Sequence, residues 1–298
     1  MLESLTAGSD TLDAPLVRAT MLSACPPWYL PRWAGASVRT MGAKMEPIEQ
    51  GATNLYLIRH GESRPQAERI VGGMRGDGGL TPLGVAQAER LRDRLAATGE
   101  IAADVLVAST MPRARRTAEI LASAFGQPIT WDDEVQELRP GEADGMPDAE
   151  AEARYRLSAT ESDPFRPLSP GGESWAQFTV RAASALQRLA RAHADRTIVV
   201  VCHGGIVVCS FLTFFQMPTL APSSARLSPR NTSITHWQRE TGEASDGRWR
   251  LMCYNDAMHL FEAGGHRVDW TALAGPPQAG TSRPAVPLPS DEQAAPAT

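Results

Sequence analysis

The feature that most constrains this chain is a repeated switch between two hydrophobic periodicities. Short apolar runs of strand type, Asn54–Arg59 (NLYLIR), Asp104–Ala108 (DVLVA) and Thr197–Cys202 (TIVVVC), alternate with segments whose apolar residues recur at helical spacing. Thr81-Pro82 opens one such segment, with Leu83, Ala86, Leu91 and Leu95 on its apolar side and Gly99 at its end. Pro112 opens another, stopped near Phe125 by Gly126 and Pro128. Ile129–Trp131 reads as a short strand and Glu173–His193 as a long amphipathic helix. Ser233–Gln238 and Trp249–Tyr254 read as closing strands around a turn at Gly242–Gly247. Strand–helix alternation of this kind implies a three-layer α/β/α sandwich with a mostly parallel central sheet.

These elements lie within residues 51–267, in which 138–172 form a loop-rich insert with one helix near Ala149–Leu157. Residues 1–50 mix Pro, Gly, Ser and Ala without periodicity and are expected to be a flexible extension, or an upstream stretch ahead of a start at Met45. Residues 268–298 are rich in Pro and Ala and have little to bury, the composition of a disordered tail. Residues 1–21 carry Glu3, Asp10, Asp13 and Arg18 and lack the apolar core of a signal peptide, so Leu22-Ser23-Ala24-Cys25 is an unsupported lipoprotein box. The stretch from Thr197 to Met217 has nearly the length and apolarity of a membrane span. His203-Gly204-Gly205 interrupts it, and a buried strand, a Gly turn and an apolar helix fit better.

Among 298 residues, 29 basic and 34 acidic side chains leave a net charge of −5, against a nucleic-acid reader with its basic excess. Lys44 is the only lysine, a bias expected of a GC-rich bacterial genome. The four cysteines, Cys25, Cys202, Cys209 and Cys253, form no C-x-x-C pair, so neither a structural zinc nor a disulfide scaffold is expected. A reducing cytoplasm is the default setting for such a chain.

In parallel sheets, ligands bind beyond the carboxyl ends of the strands. The first strand ends in Arg59-His60-Gly61-Glu62-Ser63. The second ends in Ser109, followed by Met111-Pro112-Arg113, and a later one in Cys202-His203-Gly204-Gly205. Two histidines and one or two arginines therefore converge on one rim. Guanidinium groups weaken a cation site but grip a phosphate through charge-assisted, often bidentate, hydrogen bonds. The helix opening at Pro112 is expected to aim free N–H groups at an anion. Nearby positive charge keeps an imidazole neutral and nucleophilic.

LIRHGES (Leu57–Ser63) resembles the signature of the histidine phosphatase superfamily, the phosphoglycerate mutase-like proteins. Ser109-x-x-x-Arg113-Ala114-x-x-Thr117-Ala118 resembles the second block of that family. Glu137-x-x-x-Gly141-x-x-Asp144-Gly145 is similar to its acid-bearing loop, and Cys202-His203-Gly204-Gly205 to its second histidine motif. The order and spacing agree over roughly residues 53–262.

The resemblance implies a phosphoglycerate mutase-like sandwich and metal-independent phosphomonoester hydrolysis with no cofactor. By it, His60 attacks phosphorus and becomes a phosphohistidine, while Arg59, Arg113 and His203 bind the non-bridging oxygens. Glu137 protonates the leaving alkoxide and then takes a proton from the hydrolytic water; Glu134, Glu142 and Asp144 compete with it for that role. Ser63 is a candidate phosphate contact. So is Gln66, which stands where family members commonly carry Asn. Glu62 is expected to hydrogen-bond structurally, Cys202 to pack, and Arg115 and Arg116 to lie on the exposed side of their helix. His193, His236, His259 and His266 have no supporting block.

The partner implied is a small phosphate monoester: sugar phosphates, phosphoglycerate derivatives, cofactor-precursor phosphates and phosphohistidine proteins all qualify. In the insert, Arg154, Arg156 and Arg166 are candidates to reach a second anionic group. Phosphoglycerate mutase is the alternative within the family. The Trp-Asn pair of the mutases is replaced by Pro65-Gln66, which favours a phosphatase. A non-catalytic phospholigand-binding module on the same fold would lack a nucleophile or acid, and here the set is intact. No oligomeric state follows from these residues.

Overall fold

The structure, a computed structural model, describes residues 52–161, 163–218, 226–239 and 247–261. The expected extension (1–50) and tail (268–298), the Gly242 end of the proposed turn, His266 and Cys25 lie outside the described residues.

The chain runs β1 (Thr53–Arg59), α1 (Arg64–Glu68), α2 (Pro82–Thr98), β2 (Val105–Ser109), α3 (Pro112–Phe125) and β3 (Ile129–Asp132). It continues through α4 (Asp148–Tyr155), α5 (Trp175–Ala192), β4 (Thr197–Cys202), α6 (Gly204–Phe214), β5 (Ile234–Arg239) and β6 (Trp249–Asp256). Sheet order is β3-β2-β4-β1-β5-β6. The β1–β4, β2–β4 and β2–β3 pairs are parallel, and β5 runs antiparallel to both neighbours. The sheet is thus mostly parallel, as the alternation predicts, with one reversed strand near an edge.

The central strands are apolar on both sides, so their period of two loads two separate cores. Leu55, Leu57, Ile198 and Val200 join Phe178, Leu186 and Leu189 of α5 and Ile206 of α6 on one face. Tyr56, Ile58, Val199 and Val201 meet Leu91 and Leu95 of α2 and Leu121 of α3 on the other. Three layers result. The 197–217 stretch is β4 followed by the 11-residue α6. No helix among the described residues is long and apolar enough to cross a membrane.

Local chemistry sets the helix limits. Thr81 caps α2, its hydroxyl accepting from Gly84 N–H, and Gly99 ends that helix at φ 59°, where a side chain would be strained. Ser174, not Glu173, caps α5 through a reciprocal box with Gln177. That frees the Glu173 carboxylate to face Arg181, about two turns into the helix. The five-residue α1 is absent from the sequence expectation; its Ser63–Gln66 box starts on the last residue of the signature and carries no apolar periodicity.

Candidate active site

The strands β2, β4 and β1 are neighbours, so their carboxyl ends share one rim. Arg59 pairs in register with Cys202, and His60 N–H extends the ladder to the Cys202 carbonyl at 3.0 Å. His60 and His203, far apart in sequence, therefore leave adjacent strands side by side. Their ring centroids are 5.1 Å apart at 58°.

The hydrogen bonds of His60 assign its tautomer. Nδ1 lies 2.6 Å from the Gly61 carbonyl, which only accepts, so the ring proton is on Nδ1. Nε2 in turn accepts from Arg113 Nε–H at 3.1 Å. Burial and the Arg113 and Arg59 guanidinium groups hold the His60 pKa well below the ordinary histidine value. The ring is neutral, with its lone pair on Nε2.

His203 is fully buried, and burial, then Arg113, His60 and Arg59, also push its pKa well down. Its Nε2 is 2.7 Å from Ser109 Oγ, which also accepts from Met111 N–H. With the serine proton donated to Nε2, the single proton of the neutral ring sits on Nδ1. That atom is buried without a protein partner. Arg59 shows a similar asymmetry: Nη1 donates to the Pro229 carbonyl at 2.5 Å, while Nε is buried and unpaired. Two buried nitrogens without a protein partner, Arg59 Nε and His203 Nδ1, beside a neutral nucleophilic imidazole form a cradle for an anion.

Arg113 is held by Asp77, a residue without a sequence signal. Asp77 Oδ2 accepts from Arg113 Nη1 at 2.8 Å and from its backbone N–H at 3.3 Å, and the pair is almost wholly buried. This corrects one expectation: the start of α3 offers no free N–H to an anion. Pro112 has none, Arg113 N–H goes to Asp77, and Ala114 and Arg115 N–H both bond the Met111 carbonyl. The cation of the second block, rather than its helix terminus, faces the site.

Glu137 reaches the same rim from the segment after β3. Its carboxylate accepts from its neighbour Leu138 N–H at 3.1 Å and from Gly205 N–H, in the first turn of α6, at 2.9 Å. Arg181 of α5 anchors that segment. It pairs bidentately with Glu173 and donates to the carbonyls of Glu134, Gln136 and Glu137.

Of the competing acids, Asp144 accepts from Gly73, Arg75 and Gly76 N–H, Glu142 from the Tyr155 hydroxyl, and Glu134 is exposed near Arg139. Ser63 and Gln66 are brought together but bond each other: Gln66 Oε1 receives Ser63 N–H and Oγ and also Asn231 Nδ2. Asn231 ties this cap to the His60 carbonyl at 3.0 Å. Glu62 accepts from the Thr81 hydroxyl at 2.8 Å, while Arg115 and Arg116 are exposed. Cys202 is buried on β4.

A cavity of about 280 Å³ is lined by Glu137, Met74, Met111, Arg139, Pro140 and Gly141, among others. The arginines singled out in the insert do not line it. Arg154 lies over the Tyr155 ring, and Arg166 donates to the Tyr155 carbonyl. Arg139 does. Among the described residues no group of three or more His, Cys, Asp or Glu is placed to hold a metal ion.

Paired neutral histidines in an arginine cradle at the carboxyl ends of parallel strands define a class of enzyme that handles phosphoryl groups. The profile of the histidine phosphatase superfamily (branch 1) matches residues 55–257, and the chain belongs to that family of phosphatases. A probable phosphoglycerate mutase, GpmB, of Salmonella paratyphi C (strain RKS4594) is 30% identical over 211 residues, spanning 69% of this chain and 94% of that protein. YhfR of Bacillus stearothermophilus is 28% identical with a TM-score of 0.60, covering 70% of this chain and 100% of its own. A phosphoserine phosphatase mutant of Entamoeba histolytica, in complex with phosphoserine, is 26% identical with a TM-score of 0.56, again over 70% and 100%.

Proposed function

We propose that this protein is a metal-independent phosphomonoester hydrolase of small phosphorylated metabolites, working through a phosphohistidine on His60. The observation that carries the reading is the pair of unpaired buried nitrogens, Arg59 Nε and His203 Nδ1, in the cluster that holds the His60 lone pair.

The substrate phosphoryl group takes the N–H donors of Arg59, Arg113 and His203, so Arg113 Nε exchanges His60 Nε2 for a phosphate oxygen. The freed Nε2 attacks phosphorus, and the ester P–O bond breaks. Glu137 gives a proton to the departing alkoxide. Water then attacks the phosphohistidine, Glu137 takes back a proton, the P–N bond breaks and inorganic phosphate leaves. Fixed donors aimed at the equatorial oxygens stabilise the charge of each transition state. Ser63 and Gln66 order the start of the site and present the Gln66 amide at its edge. The segment 138–172 shapes the leaving-group side, supported by Arg139, Pro140 and Gly141 in the cavity wall. A bacterial cytoplasm suits the free thiols of Cys202, Cys209 and Cys253.

The test is phosphate release from a panel of monoesters in EDTA. The parent is expected to turn over, and His60→Ala to lose at least about a thousandfold in kcat, the scale seen when a nucleophile is removed. Acid-labile label on the parent, absent from the variant, identifies the intermediate. Unchanged release by His60→Ala, or loss of parent activity in EDTA, overturns the reading. Phosphoglycerate mutase activity is the second reading, favoured by the name of the 30%-identical relative. It requires label to move between the two hydroxyl positions of phosphoglycerate without release as phosphate.

A further inference from the structure

The cavity beside Glu137 has an uneven lining. Met74, Met111 and Pro140 make it partly apolar, and Gly73 adjoins Gly72, whose carbonyl receives Arg113 Nη1 at 3.0 Å. The cavity therefore lies between the loop that holds Arg113 and the Glu137 carboxylate, which the hydrolase reading makes the side of the leaving alcohol. Its carboxylates are already engaged: Glu137 and Asp144 both accept backbone N–H groups.

Arg139 is different. Its Nε donates to Gln136 Oε1 at 3.1 Å and its Nη2 to the Asp133 carbonyl at 3.2 Å. Gln136 is itself bracketed, its Nε2 donating to Thr110 Oγ1 and Asp133 Oδ1. This scaffold holds one side of the half-exposed guanidinium, and among the described residues no acceptor meets Nη1. The nearby Glu134 carboxylate lies 3.5 Å from Nη2, half-exposed, and neutralises little. A fixed, partly free guanidinium in the wall of a small cavity is arranged to receive a planar or tetrahedral anion.

We infer that Arg139 is a specificity-determining residue that binds a second anionic group on the alcohol part of the substrate, with Gln136 positioning it. This rests on the hydrolase reading and narrows it to compact monoesters with a further carboxylate or phosphate. At about 280 Å³ the cavity falls just under the range of roughly 300–1,000 Å³ that takes drug-sized ligands.

Two substrate pairs, each differing only in the acidic group, test it: 3-phosphoglycerate against glycerol 3-phosphate, and fructose 1,6-bisphosphate against fructose 6-phosphate. In the parent, the acidic member of at least one pair is expected to lead in kcat/KM by at least about tenfold, the scale of one charge-assisted hydrogen bond. The winning pair distinguishes carboxylate from phosphate. In Arg139→Ala the lead falls to within about twofold, chiefly through KM, and Arg139→Lys restores part of it. Neutral members that match or beat the acidic ones in both pairs, or a lead that survives Arg139→Ala, overturn the inference.

Equilibrium binding separates this from the hydrolase reading. Calorimetric titration of the same four esters into His60→Ala, with and without Arg139→Ala, needs no turnover. If the parent hydrolyses none of them, the titrations alone decide: an acidic preference that requires Arg139 upholds the inference, and any other result overturns it.

Discussion

His60 owes its tautomer to a backbone carbonyl, a group that no substitution removes. Because Gly61 O takes the Nδ1 proton, Nε2 is the only atom of the ring that can attack, and burial beneath two guanidinium groups keeps it unprotonated. A kinetic sign follows. The acid limb of kcat/KM reports protonation of the free nucleophile and is expected well below pH 6.5. A profile whose acid limb centres at or above 6.5 contradicts the assignment of His60. At this scale the sequence is informative for groups embedded in motifs, His60, His203, Arg59 and Arg113, and silent for their supports. Asp77 lies between two glycine pairs in a loop, a setting typical of a solvated turn. Only its contact with Arg113, 36 positions away, reveals a buried carboxylate.

Among the elements, α6 and β4 do most to assemble the site. The β4–α6 junction places His203 at the helix start and turns Gly205 N–H toward Glu137. A methyl group at Gly205 would lie 2.1 Å from Glu137 Oε1 and 2.8 Å from the Phe178 ring. Gly205→Ala is therefore expected to displace the Glu137 carboxylate, lowering kcat by at least about tenfold and destabilising by about 1–3 kcal/mol. Steady-state kinetics and urea unfolding check both parts; wild-type kcat in a folded variant counts against the placement of Glu137. The helix and its Gly turn are legible from the HGG break in an apolar run. The reason the second glycine must be small is not legible, because the carboxylate it accommodates comes from residue 137.

Across the whole molecule, four imidazoles among the described residues tie stability to pH, His60 and His203 buried and His236 and His259 half-buried. Burial lowers His236 and His259 to about 4, and His60 and His203 lie well below the ordinary value. Below pH 6.5 the unfolded chain binds protons that the folded chain refuses, so stability falls as pH drops from 6.5 toward 4. The slope is up to about 1.4 kcal/mol per pH unit for each such histidine. The free energy of unfolding in urea should be lower at pH 5 than at pH 7.5. His236→Gln, which removes one titrating ring stacked on Tyr56, should flatten that slope. An identical slope in the variant contradicts a neutral His236 in the folded chain.

The sequence by itself determined the layered α/β plan and the convergence of both histidines with Arg59 and Arg113. Hydrophobic period and the order of strand-end motifs are properties of neighbouring residues, and parallel strands with helical crossovers bring their carboxyl ends to one edge. Tertiary structure alone decided how the site is held and walled: Asp77 under Arg113, Arg181 with Glu173 beneath the Glu137 segment, and Arg139 in a cavity wall that Arg154, Arg156 and Arg166 do not line. A charged side chain reads alike in sequence whether it is solvated or buried. What separates the two is the partner that desolvation forces on it, and that partner comes from a distant part of the chain.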